Sequence, residues 1–142
     1  MAYRLIWETA GVVFYYTGKL TDADLVRSNE EVCGDSRAAA LRYQLVDLSG
    51  IEAFHASTQT VRRMAIMDQQ ASLQNPAVKV AIVTNEVFLR GMSNVYGLTH
   101  EAAGGTWQMQ QFETQAAARE WLCEEEDERP GTPADSTTSP RE

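Results

Sequence analysis

The chain has 142 residues, 44% hydrophobic and 23% charged, with a formal net charge of -8. That length suits one domain that buries a core without disulfide or metal staples. The acidic balance argues against nucleic acid as a main partner, because phosphate binding needs a basic stripe, and no apolar run approaches the roughly 18 residues of a membrane span.

In chain order, "YRLIWET" (3–9) and "VVFYYTG" (12–18) are β-branched and aromatic runs separated by Ala10 and Gly11. Two residues between strands predict a tight hairpin, with Gly11 supplying unusual backbone angles. No long apolar core follows a basic start, so the opening is not read as a signal peptide and a cytoplasmic location is the default expectation. "TDADLVRSNEEVCGD" predicts a helix capped by Thr21, with Asp24 completing an approximate capping box and Gly34 as the stop. Leu25, Val26, Val32 and Cys33 share one face of it, and Asn29 falls in the middle of that face as a core amide bonded to backbone or a functional group.

"RYQLVDLS" (42–49) predicts the third strand, followed by a loop and a helix over 58–74 that ends before Pro76. "VKVAIVT" (78–84) is almost continuously apolar, the mark of a strand buried on both faces. "NEVFLRGMSNVYGL" predicts a helix capped by Asn85, with Phe88, Met92, Val95 and Tyr96 inward and Gly91 and Gly97 weakening it. "AAGGT" (102–106) reads as a turn, "TWQMQQF" (106–112) as the last strand and "TQAAAREWL" as a closing helix. The order β-β-α-β-α-β-α-β-α predicts an α/β domain over 1–123: an N-terminal hairpin, then mostly parallel strands. Residues 124–142 hold seven acids and two bases, contributing -5 and leaving -3 for the rest, with almost no aliphatic side chain. This acidic, Pro/Ser/Thr-rich tail is expected to be disordered.

The catalytic inventory is thin. His55 and His100 are the only histidines, so a His-rich metal site is not available, and no cofactor is expected. There is no phosphate-loop or dinucleotide-binding glycine pattern. His55 and Ser57 are close in sequence, but no third group orients them as a nucleophile and base would require. Cys33 and Cys123 belong to no metal-binding pattern and read as small core hydrophobes. Asp68 falls on the apolar side of its helix, beside Met64 and Ala65. It sits at a rim or bonds nearby backbone, or, in a cleft, its perturbed pKa marks a site.

"YRLIWE", "LRYQLVDLS", "NPAVKVAIVT" and the closing "EWL" resemble, in order and spacing over residues 2–123, the SpoIIAA-like family, akin to STAS domains. The resemblance implies a mixed five-stranded sheet with helices. In STAS antagonists a D-L-S strand end leads through an apolar position to D-S-S-G, where one serine is phosphorylated. Here Asp47-Leu48-Ser49 and Phe54 match, and Ser57 and Thr58 stand where the two serines belong. Ala56 replaces the acid, Gln59 replaces the glycine, and the spacing is one residue longer. The branch also resembles lipid-binding CRAL-TRIO domains, which implies an apolar ligand or a membrane surface.

Two functional readings follow. One is a non-enzymatic regulatory or protein-interaction module, controlled at the 54–60 loop through Ser57 or Thr58. The other is a carrier or sensor of a small apolar or lipid ligand, with peripheral membrane contact, whose pocket candidates are Asp68, Met64, Phe88 and Met92. A symmetric homodimer is compatible with either, as small one-domain proteins often pair.

Overall fold

The computed structural model describes residues 2–124. They run in the order β1 (Tyr3–Trp7), β2 (Gly11–Thr21), α1 (Asp22–Cys33), a 3-10 turn (Ser36–Ala40), β3 (Tyr43–His55), α2 (Thr58–Ser72), β4 (Lys79–Val83), α3 (Val87–Ala102), β5 (Gln108–Phe112) and α4 (Gln115–Glu124). The strands form one sheet in the order β1-β2-β3-β4-β5; β1 pairs antiparallel with β2, and every later pair is parallel. The expected fold class is observed. Of the acidic tail, Glu124 ends α4 and the rest lies outside the described residues.

Handedness decides where the helices lie. A parallel crossover is right-handed because a twisted strand and a right-handed helix pack together only that way. Three successive steps in one direction therefore put α1, α2 and α3 on the same face. Alternate residues divide accordingly: Val12, Phe14, Tyr16 and Leu20 of β2 join the core under these helices. Val13 joins Leu45, Ala81 and Val83 on the opposite face, where Ala118 and Leu122 of α4 cover them. Strand β4 is covered on both sides, and all five of its residues are buried.

The hairpin differs from expectation in detail. Glu8 N–H donates to Gly11 O at 2.8 Å, so Thr9 and Ala10 form the loop. Gly11 has no left-handed backbone angle, which among the described glycines belongs to Gly18 and Gly104. It is required for space instead, since a Cβ there would lie inside the ring of Tyr43. That ring is held by its hydroxyl, which donates to Glu8, and Arg119 of α4 grips Glu8 with two hydrogen bonds of 3.1 and 2.9 Å.

Strand β3 is longer than predicted. It continues through Gly50–His55, where a loop was expected, pairing with Thr17–Thr21. The register slips twice, between Tyr15 and Thr17 and between Gly18 and Lys19, and each slip adds one residue to β3. Two bulges thus fit thirteen residues of β3 against eleven of β2. Asp47 accepts from Ser49 N–H and hydroxyl at 2.9 and 2.6 Å, and from Gln115 of α4 at 3.0 Å, which fixes the first bulge.

Three smaller corrections follow. Both cysteines are exposed rather than core. The N-cap position of α3 is Glu86 and not Asn85; Glu86 makes no side-chain capping bond, and its own N–H donates to Thr84 Oγ1 at 3.1 Å. Phe88 is 58% exposed instead of inward.

Gly11→Ala is expected to destabilise by about 1–3 kcal/mol, as overpacking against a held ring does. Gly91→Ala, with nothing within 4 Å of the new Cβ in α3, is expected to stabilise by about 0.5–1 kcal/mol. Urea unfolding of both variants measures the contrast.

Candidate functional site

A cavity of about 90 Å³ lies between the three-helix face of the sheet and helices α1–α3. Phe14, Tyr16, Val46 and Ile82 of the sheet form its floor, and Leu25, Val61, Met64, Leu89 and Met92 form much of its roof. Asn29, Gln44, Ser93 and Asp68 are its uncharged or ionisable polar members besides Tyr16 and Tyr96. At one end stands Phe54, from the bulged extension of β3. It packs edge-on against Phe88 of α3, ring centres 5.6 Å apart.

Asp68 reaches this space from the buried side of α2 and is 2% exposed. Its Oδ2 accepts from the Tyr96 hydroxyl of α3. Its Oδ1 is buried with no hydrogen-bond partner. The Asn29 amide is near enough to favour the ionised form, yet its Nδ2 donates, at 3.9 Å, to Met67 Sδ. Burial dominates, and the carboxyl is pushed up to about 6 against the lowering effects of Tyr96 and Asn29.

His100 has the opposite character. It is 1% exposed, with Nδ1 3.2 Å from Ala65 O and Nε2 receiving the N–H of Trp107 at 3.2 Å. The only proton therefore sits on Nδ1, and the ring is neutral. Burial lowers its pKa from the ordinary 6.5. Its neutral fit supports the fold above that ordinary value and is lost as pH falls below it. A Cβ on Gly105 would occupy the same ring, so the "AAGGT" glycines serve this histidine as well as the turn.

The β3–α2 corner is fastened rather than loose. Ser57 caps α2, its Oγ accepting from Thr60 N–H at 3.1 Å. Asp22, the first residue of α1, accepts from Ser57 N–H at 2.7 Å and from its hydroxyl at 3.3 Å. These donors lower the Asp22 pKa, the Ser57 N–H contributing most. Asp22 thus sets a carboxylate from another helix against Ser57, whose preceding residue is Ala56. Thr58 is exposed beside it, and His55 is exposed at the end of β3.

Of the pocket candidates, Asp68, Met64 and Met92 line one cavity; Phe88 does not, but stacks on Phe54, which does. Ser57 and Thr58 lie together at the corner, away from the Asp68 carboxyl. Sequence reasoning missed Tyr96 as the partner of Asp68 and Asp22 as the partner of Ser57. Helical spacing offers no signal for either, since each pair joins separate elements 28 and 35 residues apart in sequence. Among the described residues no group of three or more His, Cys, Asp or Glu side chains could hold a metal, and no helix is long and apolar enough to cross a membrane.

A family model described as SpoIIAA-like matches residues 12–123. Among solved structures, phosphorylated SpoIIAA, a Bacillus cell fate determinant, is similar at 13% identity, covering 85% of this chain and 99% of that one with a TM-score of 0.57. The anti-sigma factor antagonist SpoIIAA in its unphosphorylated form is similar at 13% identity over 87% of this chain and 97% of that one, TM-score 0.61. An uncharacterised DUF3478-family protein with a SpoIIAA-like fold, from Shewanella loihica, gives 19% identity over 86% and 93%, TM-score 0.49. No curated protein matches the chain in sequence. At 13% identity the likeness to the two SpoIIAA structures establishes the fold alone.

The Asp68 carboxyl binds its proton more tightly folded, near 6, than unfolded, near 3.8. Stability is therefore full below the lower value and declines as pH rises toward the higher one. Asp68→Asn is expected to stabilise by about 1–3 kcal/mol near pH 7.5, with the gain fading at about pH 4. Thermal unfolding of both proteins across that range checks the sign and the window.

Proposed function

Because the chain belongs to the SpoIIAA-like family, we propose that it is a non-enzymatic regulatory module that binds a protein partner through the corner where β3, α2 and α3 meet. The observation that carries this reading is the aromatic surface there. Phe88 is 58% and Val87 81% exposed at the start of α3, and Phe88 packs on Phe54, three residues before the Ser57 cap. Large apolar side chains exposed together beside polar ones are typical of protein-binding surfaces. The hydroxyl of Ser57 is engaged by Asp22 and Thr60 and by no histidine, an arrangement suited to capping and not to nucleophilic attack.

Ser57 and Thr58 are the regulated positions in this reading. A phosphate on Ser57 would bring up to about two negative charges against the Asp22 carboxylate. The helix N-terminus favours that charge, while Asp22 repels it. The conflict would release the tie between α1 and α2 and change the surface offered by Phe54 and Phe88. SpoIIAA itself has been seen in phosphorylated and unphosphorylated forms, which supports looking for the modification here.

Affinity capture from cells that encode the protein, with wild type, Phe88→Glu and Ser57→Glu as baits, tests this. A partner retained by wild type and lost by at least about tenfold with Phe88→Glu, at unchanged melting temperature, is the expected result, as for a hot-spot aromatic. Ser57→Glu is expected to alter the capture of that same partner severalfold. Identical partners on wild type and Phe88→Glu would count against the surface; a surface effect without a Ser57 effect would count against the switch alone.

A further inference from the structure

We propose that the cavity beneath α1–α3 is a binding site for a small alkylammonium ion, its ammonium received by the unpartnered Oδ1 of Asp68 and its alkyl body packed among Phe14, Val46, Met64 and Met92. The proposal stands apart from the partner surface and does not depend on it.

Three observations carry it. The first is the space itself, about 90 Å³, in a core whose strands and helices are otherwise close-packed. The second is the carboxylate, 2% exposed and turned into that space with one oxygen unbonded. An unpaired buried charge costs several kcal/mol unless a partner offsets it. The third is the absence of such a partner among the described residues. No lysine, arginine or histidine acts on Asp68. The titratable groups that face it are Tyr96 on α3, Tyr16 on β2 and Cys33 on α1, all raised in pKa and all neutral near pH 7. The site therefore sets an anionic group against an apolar wall, and a small cation with an apolar body is its complement.

Charge selects the ligand class. A neutral alcohol would satisfy the lone pair of Oδ1 and leave the charge uncompensated; an anion would be repelled. Size selects the length. An apolar cavity of about 150 Å³ admits benzene, so this one suits a ligand of about four non-hydrogen atoms. Propylammonium fits that description. Phe54 lines the cavity and packs on the exposed Phe88, so this end of the site lies nearest solvent.

Protonation gates the site. The Asp68 carboxyl titrates at about 6, whereas an alkylamine, like a lysine, keeps its proton to about pH 10. Affinity is therefore full above about pH 6 and falls about tenfold for each unit below it.

The test is NMR titration of the full chain with propylamine hydrochloride and, in parallel, propan-1-ol, following the methyl signals of Met64 and Met92. Saturable shifts with a dissociation constant between about 0.05 and 5 mM are expected for propylammonium at about pH 7.5, the tight end being set by the affinity ceiling per atom for a ligand of about four atoms. At about pH 5, and in Asp68→Asn at either pH, binding is expected to weaken at least about tenfold. Asp68→Asn is expected to remain folded, so its loss of binding is not a loss of structure, and its melting curve verifies this. The proposal is overturned if propan-1-ol binds as well as the amine, if Asp68→Asn binds the amine as wild type does, or if the methyl signals do not shift saturably at all because water alone fills the cavity.

Discussion

Every parallel step in this sheet turns the same way. Right-handed crossovers taken in one direction leave no choice but to stack α1, α2 and α3 on a single face. Three helices then share one roof over the long strands β2 and β3, and the other face is left to α4. The asymmetry sets the internal geometry. On the α4 side, small residues such as Ala81 and Ala118 close tightly. On the other side, side chains from three helices converge on a sheet lengthened at one end, and a cavity remains between them.

Much of this was legible in the sequence. Element order, the buried β4 run and the Thr21–Asp24 capping box follow from composition and spacing, and Asp68 could be placed on the inner arc of α2 from period alone. What failed did so for physical reasons. The extension of β3 reads as loop because its two bulges break the alternation by which a half-buried strand announces itself. Local pattern gives Gly11 a backbone role, whereas its constraint is a tyrosine ring 32 positions away, which no local pattern encodes. Helical period points Phe88 inward, but at the first turn of α3 it stands more than half exposed and packs on Phe54 at the end of β3. Partners such as Tyr96 for Asp68 and Asp22 for Ser57 arise only once separate elements are brought together.

Two buried ionisable groups on the same half of the molecule are treated in opposite ways. His100 has both ring nitrogens committed, one to Ala65 O and one to Trp107 N–H, so its tautomer is fixed and its charge is excluded. Asp68 has one oxygen bonded and one left open. The first is what a fold does with a polar side chain that serves packing. The second leaves stability unclaimed, the usual sign that a position answers to something besides folding.

The paired bulges in the β2–β3 ribbon act like two compensating frameshifts. The first extra residue turns the following β3 side chains over, so that Ile51, opposite Gly18, faces the three helices; the second turns them back, returning Phe54 to that face opposite Leu20. Side-chain direction alternates with strict period two. Each extra residue adds one position to β3 together with one reversal of side-chain phase, and the two cancel in the pairing with β2. Loss of either extra residue would therefore straighten the ribbon locally and leave Phe54 opposite Leu20 and packed on Phe88. Single-residue length changes at these two points alter the local twist and spare the aromatic pair.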